Sequence, residues 1–584
     1  MKVAAVQFEP AFGEKEANTE ALLRLATEAA GRGARLIVLP EMATTGYVFR
    51  SREEIGPYVE PVPGPTTERF GALARSRRVS LVVGLPEVCR WNGAFYNSAV
   101  LIGPNGEVAA TYRKTHSFHC DTLWAAEGDL GLPVLDGPWP GPLGILICMD
   151  AGFFETARVQ ALAGARVIAF PTNWLRAAPS PEWRARAAEN GVYLIAADRW
   201  GEERGTVFAG GSCVIGPAGE VMAWRERGDG VVTADIDPDR AGLPAAFGLP
   251  GGKEAAVRRP DLYHTLLRHP YLWPESFVFG GLGRGRFTLG ALAGPRWASQ
   301  GATGTRRGLD ASLLHEAITA ALRASGGPPA GLLALPPLPV EPGEEERAAG
   351  ALAEVASRTG FHLAVSPAVV PVAATPPAAA PAAALSRATP PAPAPPSARS
   401  AGRVFAPPGE VWLVGPKGLT GRYRSPHVPP HLPDGPGDAG AAPFPVFDLP
   451  FARVGLLHAA DLLLPEPARL LAKEGADVVL VSGPWPPELD HLVFLQAERA
   501  ESNDCWMAVA TDRGSDIFSA APGTERGEVA EARLGGGKGA GPGFTVKVTV
   551  GETSPGSFSR RKDRLRRLQP RLYSGLVSPV ATVE

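Results

Sequence analysis

One series of short motifs occurs twice in the 584 residues, in the same order. Ala34-Arg35-Leu36-Ile37-Val38-Leu39-Pro40-Glu41 recurs as Ala330-Gly331-Leu332-Leu333-Ala334-Leu335-Pro336-Pro337. Gly103-Pro104-Asn105-Gly106, with Tyr112-Arg113-Lys114 after it, recurs as Gly415-Pro416-Lys417-Gly418 and Tyr423-Arg424-Ser425. Gly144-Ile145-Leu146-Ile147-Cys148-Met149-Asp150 recurs as Gly455-Leu456-Leu457-His458-Ala459-Ala460-Asp461. Glu155 and Arg158 have counterparts in Glu466 and Arg469, and Arg259-Pro260-Asp261-Leu262-Tyr263 resembles Gln569-Pro570-Arg571-Leu572-Tyr573. A repeat kept in order over such length means two copies of one domain.

Within the first copy, short apolar runs alternate with helix-like stretches. The runs at 3–7, 35–39, 80–84, 99–102, 143–147, 167–170 and 192–196 read as strands. The stretches at 18–31, 156–164 and 182–191 read as helices, the first with Leu22, Leu23 and Ala26 on one face. Alternation of this kind specifies an α/β class. A Pro/Ala tract at about 367–399 cannot form a helix ladder and reads as a disordered insertion in the second copy. The expected division is a catalytic domain over 1–268, a linker over 269–285 and a second domain over 286–584.

A formal net charge of −2 excludes nucleic acid or an anionic membrane as a main partner. No apolar run is long enough to span a bilayer, and the N-terminal run is too short for a secretory signal. Five cysteines without CxxC pairing argue against a disulfide framework or a zinc site. A cytoplasmic, reduced protein is expected, in which one cysteine can serve as a nucleophile. Cys89, Cys120 and Cys213 read as structural.

Three polar residues of the first copy stand at or after strand ends, where α/β sheets build their sites: Glu41, Lys114 and Cys148. An amide carbon is a poor electrophile. Attack on it needs a strong nucleophile, a base for its proton and positive charge where the oxyanion grows; cysteine, glutamate and lysine supply these roles. An activated Cys148 should then outpace the other thiols toward iodoacetamide near neutral pH.

The motifs around these residues resemble the nitrilase or carbon–nitrogen hydrolase superfamily: Pro40-Glu41-Met42 with Gly46-Tyr47, Tyr112-Arg113-Lys114-Thr115-His116, and Cys148-Met149-Asp150 with Glu155. Gly128-Asp129, Pro171-Thr172-Asn173-Trp174, 184–190 and 210–219 extend the likeness across nearly all of 1–240. The resemblance implies an α/β fold of two tandem αββα sandwiches, the second degenerate. It implies Cys148 as nucleophile, Glu41 as general base, and Lys114 with the Met149 backbone N–H as oxyanion stabilisers. The reaction would run through a thioester, with no metal and no cofactor. The implied substrate is a small amide or, alternatively, a nitrile. Asn173 falls in a matched block as an accessory residue; His116 and His119 read as supporting.

Two departures matter. The second glutamate common in the family is missing, leaving Asp121 or Glu127 as its replacement, with Asp121 preferred. No arginine follows the nucleophile in Met149–Phe153, so a neutral or amine-bearing amide is expected rather than an N-carbamoyl amino acid. In the second copy the triad positions hold Pro337, Ser425 and Ala459, and His458 beside them reads as a core residue. That copy is expected to be catalytically dead and to stand in for the partner subunit of an intrachain pseudo-dimer, with further homo-oligomers left open. The contrasting reading is a non-catalytic scaffold, against which the intact first triad argues.

Overall fold

The computed structural model describes residues 1–242, 248–249, 253–254, 258–268, 285–293, 311–326, 331–340, 344–369, 409–427, 443–518, 530–534, 544–553, 565 and 567–577. The expected linker at 269–285 lies outside these residues except for its last position, as does the Pro/Ala tract beyond 369. The tract's first residues differ from expectation: Pro367–Val369 is a strand paired in parallel with Leu338–Val340.

The first copy builds two six-stranded sheets. One runs from edge to edge through Gly230–Asp235, Lys2–Gln7, Leu36–Val38, Ser80–Val88, Phe95–Ile102 and Val108–Arg113. The other runs Val221–Trp224, Cys213–Ile215, Tyr193–Asp198, Val167–Thr172, Leu143–Ile145 and Val134–Leu135. Every strand read from the sequence is present, with ends moved by a few residues.

The period of two along a strand explains how the layers stack. Val3, Ala5, Leu36 and Val38 face the second sheet, meeting Ile145, Ala169 and Ile195. Their alternates Ala4, Val6, Ile37 and Leu39 face Leu22, Ala26, Phe70 and Ala74 on helices Lys15–Gly31 and Pro65–Arg77. The helix Pro65–Arg77 is an addition to the sequence reading; its signal is Pro65 at the first position, where a missing N–H costs nothing. The second sheet is covered outside by helices Phe154–Leu162 and Pro181–Asn190. The latter is capped by the Ser180 hydroxyl accepting from the Trp183 N–H (3.3 Å) and closed by Gly191 at φ 61°.

The second copy repeats this topology. Its first sheet runs Phe544–Thr553, Gly285–Ala293, Gly331–Ala334, Phe361–Val365, Glu410–Gly415 and Gly418–Arg424, with Ala530–Leu534 added at the edge. Its second sheet holds Val446–Asp448, Arg453–His458, Val478–Ser482, Trp506–Ala510 and Ser515–Phe518. Both copies are therefore αββα sandwiches, and they meet helix layer on helix layer, with Phe154, Ala185 and Ala188 in one core with Leu462, Leu495 and Ala500.

Buried ion pairs cross this junction with twofold logic. Arg158 meets Glu466 (3.2 Å) and Arg469 meets Glu155 (2.9 Å), each pair being the other's counterpart in the repeat. Arg186 binds Glu189 (2.7 Å) and Glu498, while Arg499 reaches back to Glu189 (2.6 Å). The tails are exchanged as well. Tyr263 and Leu266, near the end of the first copy, pack in the core that the second copy dominates, and Lys473 donates to the Leu266 carbonyl (2.8 Å). Among the described residues, no helix is long and apolar enough to cross a membrane.

Candidate active site

Glu41, Lys114 and Cys148 come from three different strand ends and converge. Glu41 follows Leu36–Val38 in a turn pressed against the neighbouring strand. Only glycine fits at position 84 there, since a Cβ would lie 2.2 Å from the Pro40 carbonyl and 2.7 Å from the Glu41 Cα. Lys114 follows Val108–Arg113, and its N–H is held by the Asn97 carbonyl (2.9 Å). Cys148 opens the 3₁₀ turn Cys148–Gly152 at φ 46°, a left-handed conformation that costs a side-chain-bearing residue energy. The Ala459 that replaces it in the second copy opens the same kind of turn without a positive φ. The strained backbone is thus confined to the copy that carries the thiol.

The three side chains are buried. Lys114 Nζ lies 2.7 Å from Glu41 Oε1 and 2.6 Å from Asp121 Oδ2. Asn97 Nδ2 bridges the same two carboxylates, donating to Glu41 Oε1 (2.7 Å) and Asp121 Oδ1 (3.0 Å). Asp121 Oδ2 also accepts from the Phe118 N–H (3.1 Å). Glu41 Oε2 has no hydrogen-bond partner. Cys148 Sγ lies 3.9 Å from the Asn173 carbonyl oxygen, and the Asn173 side-chain amide is buried with neither end hydrogen-bonded.

Of the two carboxylates considered for the missing glutamate, Asp121 is the one at the lysine. Glu127 is exposed, 4.0 Å from Arg571 of the second copy's tail. His119 is exposed too, whereas His116 is buried and bonded to Asp150 (3.1 Å). Two residues escaped the sequence reading as site members. Asn97 had a signal, a polar Asn97-Ser98 pair inside the otherwise apolar strand Phe95–Ile102. Tyr47 stands in a family-like motif with no sign of its contacts; its hydroxyl donates to the Phe118 carbonyl (2.7 Å) and lies 3.4 Å from Asp121 Oδ2.

Burial raises the Glu41 carboxyl above its ordinary value; Lys114 opposes this, Asp121 adds to it, and the Asn97 hydrogen bond opposes it. Burial tends to lower Lys114, but Asp121 and Glu41 overcome it and hold the ammonium well above the usual lysine value. Burial, reinforced by Glu41 and opposed by Lys114, pushes the Cys148 thiol far up. The Cys89 thiol, by contrast, is held below its ordinary value by backbone hydrogen bonds from Asn92 and Trp91.

A buried carboxylate, the ammonium paired with it and a thiol on a strained turn thus stand in the first copy. The sequence profile of the family described as Carbon-nitrogen hydrolase matches residues 2–244 and again 310–537, together more than half of the chain. The chain belongs to that family, whose members are hydrolases of carbon–nitrogen bonds other than peptide bonds. The chain is 40% identical over 239 residues to a nitrilase of Pyrococcus abyssi, a match spanning 41% of this chain and 90% of that protein. It is 35% identical over 249 residues to an (R)-stereoselective amidase of a Pseudomonas species, spanning 41% of this chain and 87% of that protein. A crystal structure of an amidase from a Nesterenkonia species aligns over 41% of this chain and 91% of its own, at 30% identity and a TM-score of 0.36.

Proposed function

We propose that the protein is an amidase for small neutral or amine-bearing amides, working through a thioester on Cys148 with Glu41 as base and Lys114 as oxyanion stabiliser. The observation that carries this reading is the free Oε2 of Glu41. One oxygen of the carboxylate is occupied by Lys114 and Asn97, and the other is buried and unpaired. A buried carboxylate oxygen with no donor is primed to accept a proton.

The steps follow. Glu41 takes the thiol proton as Cys148 Sγ attacks the amide carbon, so no free thiolate is needed at rest. The carbonyl oxygen becomes an oxyanion beside Lys114 and the Met149 N–H, which sits in the first turn and has no acceptor within it. Glu41 returns the proton to the nitrogen, the carbon–nitrogen bond breaks and ammonia or an amine leaves. Glu41 then deprotonates a water that attacks the thioester, and the acid and the thiol are released. Asp121 keeps Lys114 charged and aimed. Asn173 offers its free amide to the substrate. The reading assigns residues 1–268 as the catalytic unit and 286–584, lacking all three groups, as a non-catalytic one.

Charge sets the substrate class. Glu41 and Asp121 outnumber Lys114, and Met149–Phe153 brings no arginine. A carboxylate on the substrate would enter an already negative site. A neutral amide is therefore expected to exceed a carboxylate-bearing analogue of similar size by about 100-fold in kcat/KM. A panel of simple amides, nitriles and N-carbamoyl-D-amino acids measures this. Efficient turnover of the carbamoyl compounds without activity on amides overturns the reading. Nitrile turnover in place of amide turnover moves the substrate toward that named for the Pyrococcus relative.

The base also predicts a pH profile. Glu41 works ionised and its folded value is raised, so kcat/KM falls as pH drops through a point above 4.5. Asp121 raises that value and Asn97 lowers it. Asp121→Asn should therefore move the acidic limb down, and Asn97→Ala should move it up. Limbs that stay in place, or move in the reverse order, contradict Glu41 as the base.

A further inference from the structure

The active site of the first copy is braced by the tail of the second. Asp150, two residues after the nucleophile, ties together the two segments that carry Cys148 and Lys114. Its Oδ2 accepts from the Ile147 N–H (3.0 Å) and the Tyr112 hydroxyl (2.8 Å). Its Oδ1 accepts from the Thr115 hydroxyl (2.9 Å) and the His116 N–H (2.9 Å), and lies 3.1 Å from His116 Nδ1. The ring of His116 is stacked on Phe153, and its Nε2 meets the hydroxyl of Tyr573 at 2.9 Å.

Tyr573 is fully buried although it stands between the short turns Pro570–Leu572 and Ser574–Leu576 of the second copy's tail. Its hydroxyl accepts from the Gln569 N–H (3.0 Å), which leaves its own proton to donate to His116 Nε2. His116 then carries its proton on Nδ1, toward the carboxylate. The result is a satisfied chain from Gln569 through Tyr573 and His116 to Asp150, every donor pointing the same way. Gln569 adds a second hold, its side-chain amide donating to the Thr115 carbonyl (3.2 Å) next to Lys114.

The mirror image exists. Tyr263 of the first copy's tail meets His427 Nε2 (3.0 Å); His427 Nδ1 lies 2.8 Å from Asp461, which also accepts from Tyr423 (2.9 Å) and the His458 N–H (2.8 Å). That brace supports a turn in which Ala459 replaces the nucleophile. The molecule thus contains one brace behind chemistry and an analogous one, in which Arg259 binds Asp261 where Gln569 holds the Thr115 carbonyl, behind none.

We infer that Tyr573 and Gln569 are positioning residues of the first copy's reaction, so that the second copy, though it has no triad, is a required part of the active site. The inference rests on the proposed roles of Cys148 and Lys114. Removing the hydroxyl leaves His116 free to tilt, and Asp150 then holds the lysine segment and the nucleophile turn less firmly. Small misplacements of reacting groups lower the rate of the chemical step more than they lower binding.

The test compares Tyr573→Phe with Tyr263→Phe in the full-length protein. Each loses one tyrosine–histidine hydrogen bond, so both should lose a similar, small amount of Tm. Tyr573→Phe should lower kcat roughly ten-fold or more with KM little changed, while Tyr263→Phe keeps the wild-type kcat. Gln569→Ala, which spares the ring packing, should lower kcat in the same direction. Equal kcat values in Tyr573→Phe and Tyr263→Phe overturn the inference. Should Cys148→Ala keep its activity, the catalytic reading itself falls instead, whatever the tyrosine variants show.

Discussion

Cut after residue 268, the first copy is expected to run as a dimer or larger species and to lose about a hundred-fold or more of its activity when diluted to monomer. The helices Phe154–Leu162 and Pro181–Asn190 would then present Phe153, Phe154, Ala185 and Ala188 to water, a contiguous apolar face rather than scattered residues. Self-association has a built-in geometry. Arg158 now meets Glu466, whose counterpart in the first copy is Glu155, and Arg469, counterpart of Arg158, meets Glu155. Two fragments docked through this face can therefore re-form both ion pairs crosswise, and Tyr263 can take the place of Tyr573 behind His116. The fused second copy makes this association intramolecular, at a concentration no free partner reaches. In the monomer His116 and the Thr115 carbonyl lose their braces, and a shift of about 1 Å at a reacting group is enough to cost ~10²-fold. Light scattering coupled to size exclusion, with activity assayed across the dilution, measures the effect. A stable, fully active monomer contradicts it.

Replacing Cys148 by alanine should lower kcat by about 10⁴–10⁶-fold while leaving the fold intact. Alanine and cysteine share the Cβ that the left-handed backbone at φ 46° must accommodate, so the exchange adds no backbone strain there. The loss of activity is thus separable from loss of structure, and an unchanged Tm should accompany it. Among the other four cysteines, Cys213 and Cys505 are buried in the two cores, Cys120 packs in a separate apolar cluster with Tyr47 and Trp124, and Cys89 lies beside Asn92 and Trp91.

The fold and the candidate site around Glu41, Lys114 and Cys148 were legible because each leaves a local trace. Alternating apolar runs mark the strands, and Glu41, Lys114 and Cys148 stand at strand ends beside short motifs. Asn97 was missed because it lies in mid-strand, where its amide works through contacts with two residues far along the chain. The choice between Asp121 and Glu127 could not be made from spacing; the short helix Asp121–Trp124 turns one inward and leaves the other outside. Helix Pro181–Asn190, with Arg184, Arg186 and Glu189, has the composition of a solvated helix, yet Arg186 and Glu189 are fully buried against the second copy. Pairing across an interface depends on a partner surface that one segment's periodicity does not encode.

The covalent step on Cys148 leaves a mass that can be read directly. Full-length protein mixed with a simple amide, quenched in acid and digested, should yield a peptide carrying Cys148 heavier by the acyl group of the substrate. The same peptide region from Cys148→Ala should carry no addition, and that protein should release no ammonia. Acyl groups on Cys89, Cys120, Cys213 or Cys505 instead, or ammonia release that persists in Cys148→Ala, would contradict a reaction centred on Glu41, Lys114 and Cys148.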